Sequence, residues 1–289
     1  MHHRIKATAV KRPQAVRRVG PPAPPWPSYQ GESEFVGSSP SGRVTVYVDP
    51  TLGQPGLQNA QDLVDQADTI ADQNDSFFGT IGGNVSVIVF ALGGMTDGTG
   101  GADHLGCNFN TGGNIEVCAS FGAPDRVFGL FEAELSECSM DGNLCGVSTG
   151  EALSRWCSTV ASNNALPDFT TGPAWAQTGL PDFVNQTDMT DQNAVSTGCG
   201  MVFISWLLSL GHTLSEIAPA LVALGDTGTL AQLYESVGEG AAADAFTNFI
   251  NAVQALPNDI TSDNPFGAPM GAAGMASKDQ LRAKSGSGR

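Results

Sequence analysis

The chain has 289 residues, 41% of them hydrophobic, and a formal net charge of −16, so it can bury a substantial core. The charge is segregated: residues 1–30 hold Arg4, Lys6, Lys11, Arg12, Arg17 and Arg18 and no acid, whereas Arg43, Arg126 and Arg155 are the only cations among residues 31–277, which carry every acidic residue except Asp279. A body this acidic repels phosphate backbones, which argues against nucleic-acid binding by the folded part, and no apolar run reaches the roughly 18–20 residues of a membrane span.

Residues 1–40 are basic and rich in Pro, Gly and Ser, and they lack hydrophobic periodicity, so a disordered arm is expected there. This basic start has no apolar region behind it and gives no recognisable signal peptide. The compartment stays open, with an extracellular or otherwise exported protein among the options. A globular domain is expected over 41–268. Residues 43–48 alternate as a strand that stops at Asp49-Pro50. Leu57, Ala60, Leu63, Val64, Ala67, Ile70 and Ala71 trace a helical stripe that Gly79 can close. The β-branched run Val85–Leu92 reads as a buried strand, completing a crossover unit. A Gly-rich loop, residues 93–101, leads to a hairpin expected over His104–Ser120 with a two-residue turn at Gly112-Gly113.

That register sets Cys107 opposite Cys118, where a cross-strand disulfide is geometrically allowed. Cys138 and Cys145 can close a second bridge around Asp141-Gly142, leaving Cys157 and Cys199, although six cysteines permit 15 pairings. Pro124-Asp125 opens a helix running to Met140. Its apolar stripe is Val127, Leu130, Phe131, Leu135 and Cys138; Glu134 and Glu137 share the opposite face. A helix over 150–161 carries Glu151 and, one turn on, Arg155. The irregular stretch 163–197 follows, with Asp182, Asp188 and Asp191. Further helices are expected at Met201–Leu210, from a Thr213–Glu216 capping box to Gly225, at 229–237 and at 241–255, before a flexible tail over 269–289.

Two carboxylates three apart on one helical face can share a cation or a proton; the competing reading is a solvated acidic surface. His104, at the mouth of the hairpin, can reach that helix as a metal ligand or serve only structurally, and His212 reads as a helix-end cation. Arg126 and Arg155 are expected to neutralise the glutamates, Arg155 by bridging Glu151 at i+4. A set of carboxylates with one imidazole suits Ca²⁺, Mg²⁺ or Mn²⁺ better than zinc. The aspartates of 182–191 could likewise hold Ca²⁺ or be plain loop polarity. Gly146-Val-Ser148-Thr-Gly150 matches the pattern of a serine-hydrolase elbow, but DGNLC precedes it where a strand is required, so Ser148 is read as a helix cap. Glutamates at i and i+3 are also poorly placed to flank a glycosidic bond.

Ala133-Glu134-Leu135-Ser136-Glu137, then Gly150-Glu151-Ala-Leu-Ser-Arg155, then Asp263-Asn264-Pro265-Phe266 resemble the motifs of a group of uncharacterised, mostly bacterial proteins. That group is in turn similar to degenerate zincin-like metallopeptidases of the gluzincin branch, with A-E-x-x-E where peptidases have H-E-x-x-H. The resemblance implies an α+β zincin-like fold: a small mixed N-terminal sheet with a crossover helix and a hairpin, then a mainly helical C-terminal half. It places Glu134 at the general-base position, Glu137 at the second ligand and Glu151 at the third. Ala133 falls on the first ligand and can bind nothing. The expected function is a binding protein without catalysis, or a hydrolase with altered metal chemistry. Two alternatives stand beside it: an active peptidase-like hydrolase using Glu134 as base, and an interaction or cargo protein addressed by its basic arm. Its partner is expected to be a protein or peptide.

Overall fold

The computed structural model describes residues 20–92 and 96–270. Five strands form one sheet: β1 (Glu34–Ser38), β2 (Val44–Val48), β3 (Val85–Phe90), β4 (Ala102–His104) and β5 (Asn114–Cys118), in the spatial order β1-β2-β3-β5-β4. The inner strands β2, β3 and β5 run parallel, and both edge strands are antiparallel to their neighbours. Parallel neighbours require a crossover. Helix α1 (Gly53–Phe78) supplies it between β2 and β3, ending at Gly79 with φ 70° and its N–H on the Asp75 carbonyl. The parallel strands are covered on both faces, which explains the unbroken run VSVIVF in β3.

On one face Val46, Val87, Val89, Ile115 and Val117 pack with Leu63, Ala67 and Ile70 of α1 and with Leu130, Phe131 and Leu135 of α2 (Pro124–Ser139). On the other, Tyr47, Ile88 and Phe90 are covered by Trp26, Tyr29 and Phe35. The segment expected to be a disordered arm therefore folds from Gly20 onward. Its proline-rich chain lies over the sheet: Trp26 meets Tyr47 edge-on at 5.4 Å, Tyr29 meets Phe90 at 5.3 Å, and Tyr47 Oη donates to the carbonyls of Pro21 and Pro22. Hydrophobic periodicity missed this strap because Pro and single aromatics bury area without a period. Residues 1–19 and 271–289 lie outside the described residues.

The strap is pinned by a buried carboxylate. Glu116, fully buried on β5, accepts from the Ser28 amide (3.0 Å), the Ser28 hydroxyl (2.7 Å) and the Tyr29 amide (2.6 Å). Glu116→Ala orphans three donors and should cost about 3 kcal/mol, while Glu116→Gln, which keeps an acceptor for both amides, should cost under about 1 kcal/mol. Urea denaturation followed by Trp26 fluorescence measures both, and a loss under about 0.5 kcal/mol for Glu116→Ala would show that the carboxylate does not hold the strap.

The helical half comprises α3 (Ser148–Ser162), α4 (Gly172–Gln177), α5 (Ala194–Ser209), α6 (Leu214–Leu224), α7 (Leu230–Ser236) and α8 (Ala245–Gln254). Helix α5 is buried from Ser196 to Leu208 and forms the centre of this half, with Phe203 and Trp206 against Phe249. Capping boxes at Thr213/Glu216 and Thr229/Gln232 start α6 and α7. Among the described residues no helix is long and apolar enough to cross a membrane.

The irregular stretch before α5 is more ordered than its composition suggests. It contains α4, whose Trp175 is fully buried and stacks on Phe249 at 5.3 Å. Asp182 accepts from the amides of Val184 and Asn185, and Asp188 accepts from the Asn193 side chain and the Ser196 hydroxyl. These aspartates therefore serve local turns.

Candidate functional site

A cleft of about 600 Å³ opens between β4, α2, α3 and the loops around Asp168 and Asp191. Its lining brings together all four residues singled out in sequence: His104, Glu134, Glu137 and Glu151. They arrive from three elements. His104 is the last residue of edge strand β4, Glu134 and Glu137 lie on α2, and Glu151 lies in the first turn of α3. The sheet-facing stripe of α2 aims the opposite face, and with it both glutamates, into the cleft. Ala133 lines the cleft too.

His104 is held at both nitrogens. Its Nδ1 is 2.7 Å from the Gly106 carbonyl, which can only accept, so that nitrogen carries a proton. Its Nε2 is 2.8 Å from Glu137 Oε2 and 3.5 Å from Glu134 Oε2. Burial of the ring opposes charging, but the hydrogen bonds with Cys138 and Glu137 and the negative charge of Glu134 outweigh it and push His104 up to about 11. His104 is thus an imidazolium at neutral pH. Glu134 is held well above the ordinary carboxylate range, first by burial and then by the charge of Glu137, with His104 pulling the other way. Burial and Glu137 also push Glu151 up to about 7, against Arg155.

The close approach of the β4–β5 connection explains one glycine. A Cβ on Gly112 would run into the Gly106 carbonyl and the His104 ring, so this position must stay bare for the imidazole to be held. The expected two-residue turn is absent: β4 pairs His104 with Ile115, the whole of 105–113 forms the connection, and neither Gly112 nor Gly113 has a positive φ. That register overturns both expected disulfides. Cys118 lies beside Gly101 as a buried thiol, and Cys138 donates from α2 to the Gly112 carbonyl, while Cys107 reaches across to Cys145 with Cα atoms 5.6 Å apart. Cys157 and Cys199 are buried thiols.

The two arginines do not neutralise the glutamates as expected. Arg126 pairs with Asp168 at 2.6 Å, donates to the Gly100 carbonyl and lies over the Phe169 ring at 5.8 Å. Arg155 pairs with Asp263 at 3.2 Å and donates to the Phe169 carbonyl and to Thr171. It acts on Glu151 only as a nearby charge. Asp263 also accepts from the amides of Thr171 and Gly172, so the motif Asp263–Phe266 locks the start of α4 to α3. This clamp spans 108 positions, and pattern reading within any one segment could not supply it.

Ser148 is the first residue of α3 and no strand precedes it; its hydroxyl accepts from the Asp188 amide. His212 is occupied by Glu239 at 2.7 Å and Glu216 at 3.6 Å. The hydrolase elbow is absent, and His212 has a structural role. The cleft residues that sequence reasoning did not assign to it are Asp103, Asp168, Asp191 and Cys107. No protein-family model matches the chain, and no curated protein matches it in sequence.

The donor set does not fit the zinc of an H-E-x-x-H helix. Ala133 offers no ligand, Glu137 offers a carboxylate where an imidazole is required, and burial with the charge of Glu137 opposes the ionisation of Glu134. The arrangement replaces an external cation by an internal one: the His104 imidazolium lies against both α2 carboxyl groups.

Proposed function

We propose that the chain is a zincin-like domain without the histidine-ligated zinc site, acting as a binding protein whose acidic cleft takes a cationic peptide segment. The mixed five-stranded sheet with its α1 crossover, the Glu-bearing α2 and the Glu151-bearing α3 support the scaffold reading. The observation that carries the function is the position of His104 Nε2 between Glu137 and Glu134, which sets a cation against both α2 carboxyl groups, while burial opposes the ionisation that a general base requires of Glu134. Around that neutralised centre, Arg126 and Arg155 are matched by Asp168 and Asp263, whereas Asp103 and Asp191 line the cleft with no cation bonded to them among the described residues. The cleft therefore keeps a negative field that attracts Lys- and Arg-bearing chains.

The test is fluorescence anisotropy of labelled Lys/Arg-rich and Asp/Glu-rich decapeptides against the disulfide-intact protein. Basic peptides should bind about 10-fold more weakly to the Asp103→Asn/Asp191→Asn double variant, as loss of about 1.4 kcal/mol implies, and added salt should weaken binding further. Equal binding of both peptide classes sinks the proposal. So does peptide cleavage by the wild type that Glu134→Gln abolishes, which would establish the hydrolase reading.

A further inference from the structure

We infer that reduction of the Cys107–Cys145 disulfide turns one end of this cleft into a zinc site made of Cys107 Sγ, His104 Nε2 and a Glu137 carboxylate oxygen. These three residues place one ligand atom each within 4.8 Å of one another. In the disulfide, the Cys107 sulfur is bonded to Cys145 and is no thiolate donor. Once released, it completes a thiolate, imidazole and carboxylate set with a fourth position open, the ligand chemistry that zinc selects over Ca²⁺ or Mg²⁺.

The surrounding geometry favours the conversion. His104 Nδ1 is already committed to the Gly106 carbonyl, which fixes the ring and aims Nε2 at Glu137, where an ion takes the place of the Nε2 proton, as outer hydrogen bonds arrange at metal-bound histidines. Zinc bonds of about 2.0–2.3 Å put neighbouring ligand atoms roughly 3.3–3.7 Å apart. The three atoms must settle to that spacing from within 4.8 Å of one another, and Cys107 sits in the connection 105–113, outside any helix or strand. Cys107 is 4% exposed, whereas Cys145 is exposed and both line the cleft, so a reductant reaches Cys145 first.

The exchange balances with a dithiol reductant. One of its thiolates attacks Cys145 Sγ, the protein S–S bond breaks, and Cys107 leaves as a thiolate. The second thiol of the reductant then displaces Cys145 and closes the reductant's own disulfide, so two electrons enter the protein. Zinc then takes the Cys107 thiolate in place of a proton and displaces to solvent the proton that His104 Nε2 holds against Glu137. The inference does not depend on the peptide-binding proposal, since it concerns the reduced chain and its readout is metal affinity.

The experiment uses the full chain, oxidised or reduced and then freed of reductant under argon, titrated with Zn²⁺ against a chelating dye and with Co²⁺ by absorption. The reduced protein should bind one equivalent about 100-fold more tightly than the oxidised protein, as gain of a thiolate ligand demands, and its Co²⁺ form should show sulfur-to-cobalt charge transfer. Cys145→Ser should bind without any reductant, and Cys107→Ser should lose the charge-transfer band in every state. Equal affinity of oxidised and reduced protein, a band that survives Cys107→Ser, or no binding by Cys145→Ser would each overturn the inference. The last criterion stands even if Cys107→Ser fails to fold.

Discussion

Asp263→Ala is expected to destabilise the protein by about 3–5 kcal/mol, because removing one partner of a buried pair strands the other charge. Asp263 and Arg155 are both 6% exposed. The Asp263 carboxylate matches Arg155 and accepts the Thr171 and Gly172 amides, so the variant orphans a guanidinium and two backbone donors together. Arg155→Met/Asp263→Ala should recover part of the loss, since the methionine removes the charge and fills its volume. Urea denaturation of the three variants gives both numbers. A single-variant loss below about 1 kcal/mol, or a double variant no better than Asp263→Ala, would mean that the clamp contributes little.

His104→Gln is expected to cost about 3 kcal/mol near pH 6 and little near pH 11, because it removes the cation from between two carboxyl groups. The sign follows from the direction of the shifts. His104 is raised from 6.5 to about 11, so its stabilisation is complete below pH 6.5 and is lost as pH rises through about 11. Glu134 and Glu151 are raised as well, so in the folded state their ionisation is penalised increasingly as pH climbs above the ordinary carboxylate value, and Glu151 reaches its midpoint at about 7. The difference between wild type and variant should therefore be full at pH 6 and narrow as pH rises towards 11. Urea titrations at stepped pH would show it, and a difference that stays flat across that range would sink the ion-pair account.

Much of the fold was legible because it depends on local periodicity. The α1 stripe, the buried β3 run, the Thr213–Glu216 capping box and the apolar face of α2 were all readable within single segments. The strap over 20–33 was not, because its burial comes from Trp26, Tyr29 and a chain of prolines pinned by Glu116 about 87 positions away. Cysteine pairing failed for a related reason. A symmetric turn at Gly112-Gly113 was the simplest hairpin, but Gly112 is bare where the connection closes on the His104 ring and Gly113 where it passes the carbonyls of Phe109 and Asn84.

The candidate site divides in the same way. Residue types and spacing put Glu134 and Glu137 on one face of α2, opposite its apolar stripe, with Glu151 and Arg155 on the next helix. Sequence alone could not decide what balances those charges. Charge pairing depends on distance and burial, and these are set by elements far apart in the chain: β4 brings His104 to Glu137 and Glu134, while Asp263, from beyond α8, draws Arg155 away from the i+4 partner that helical spacing offered.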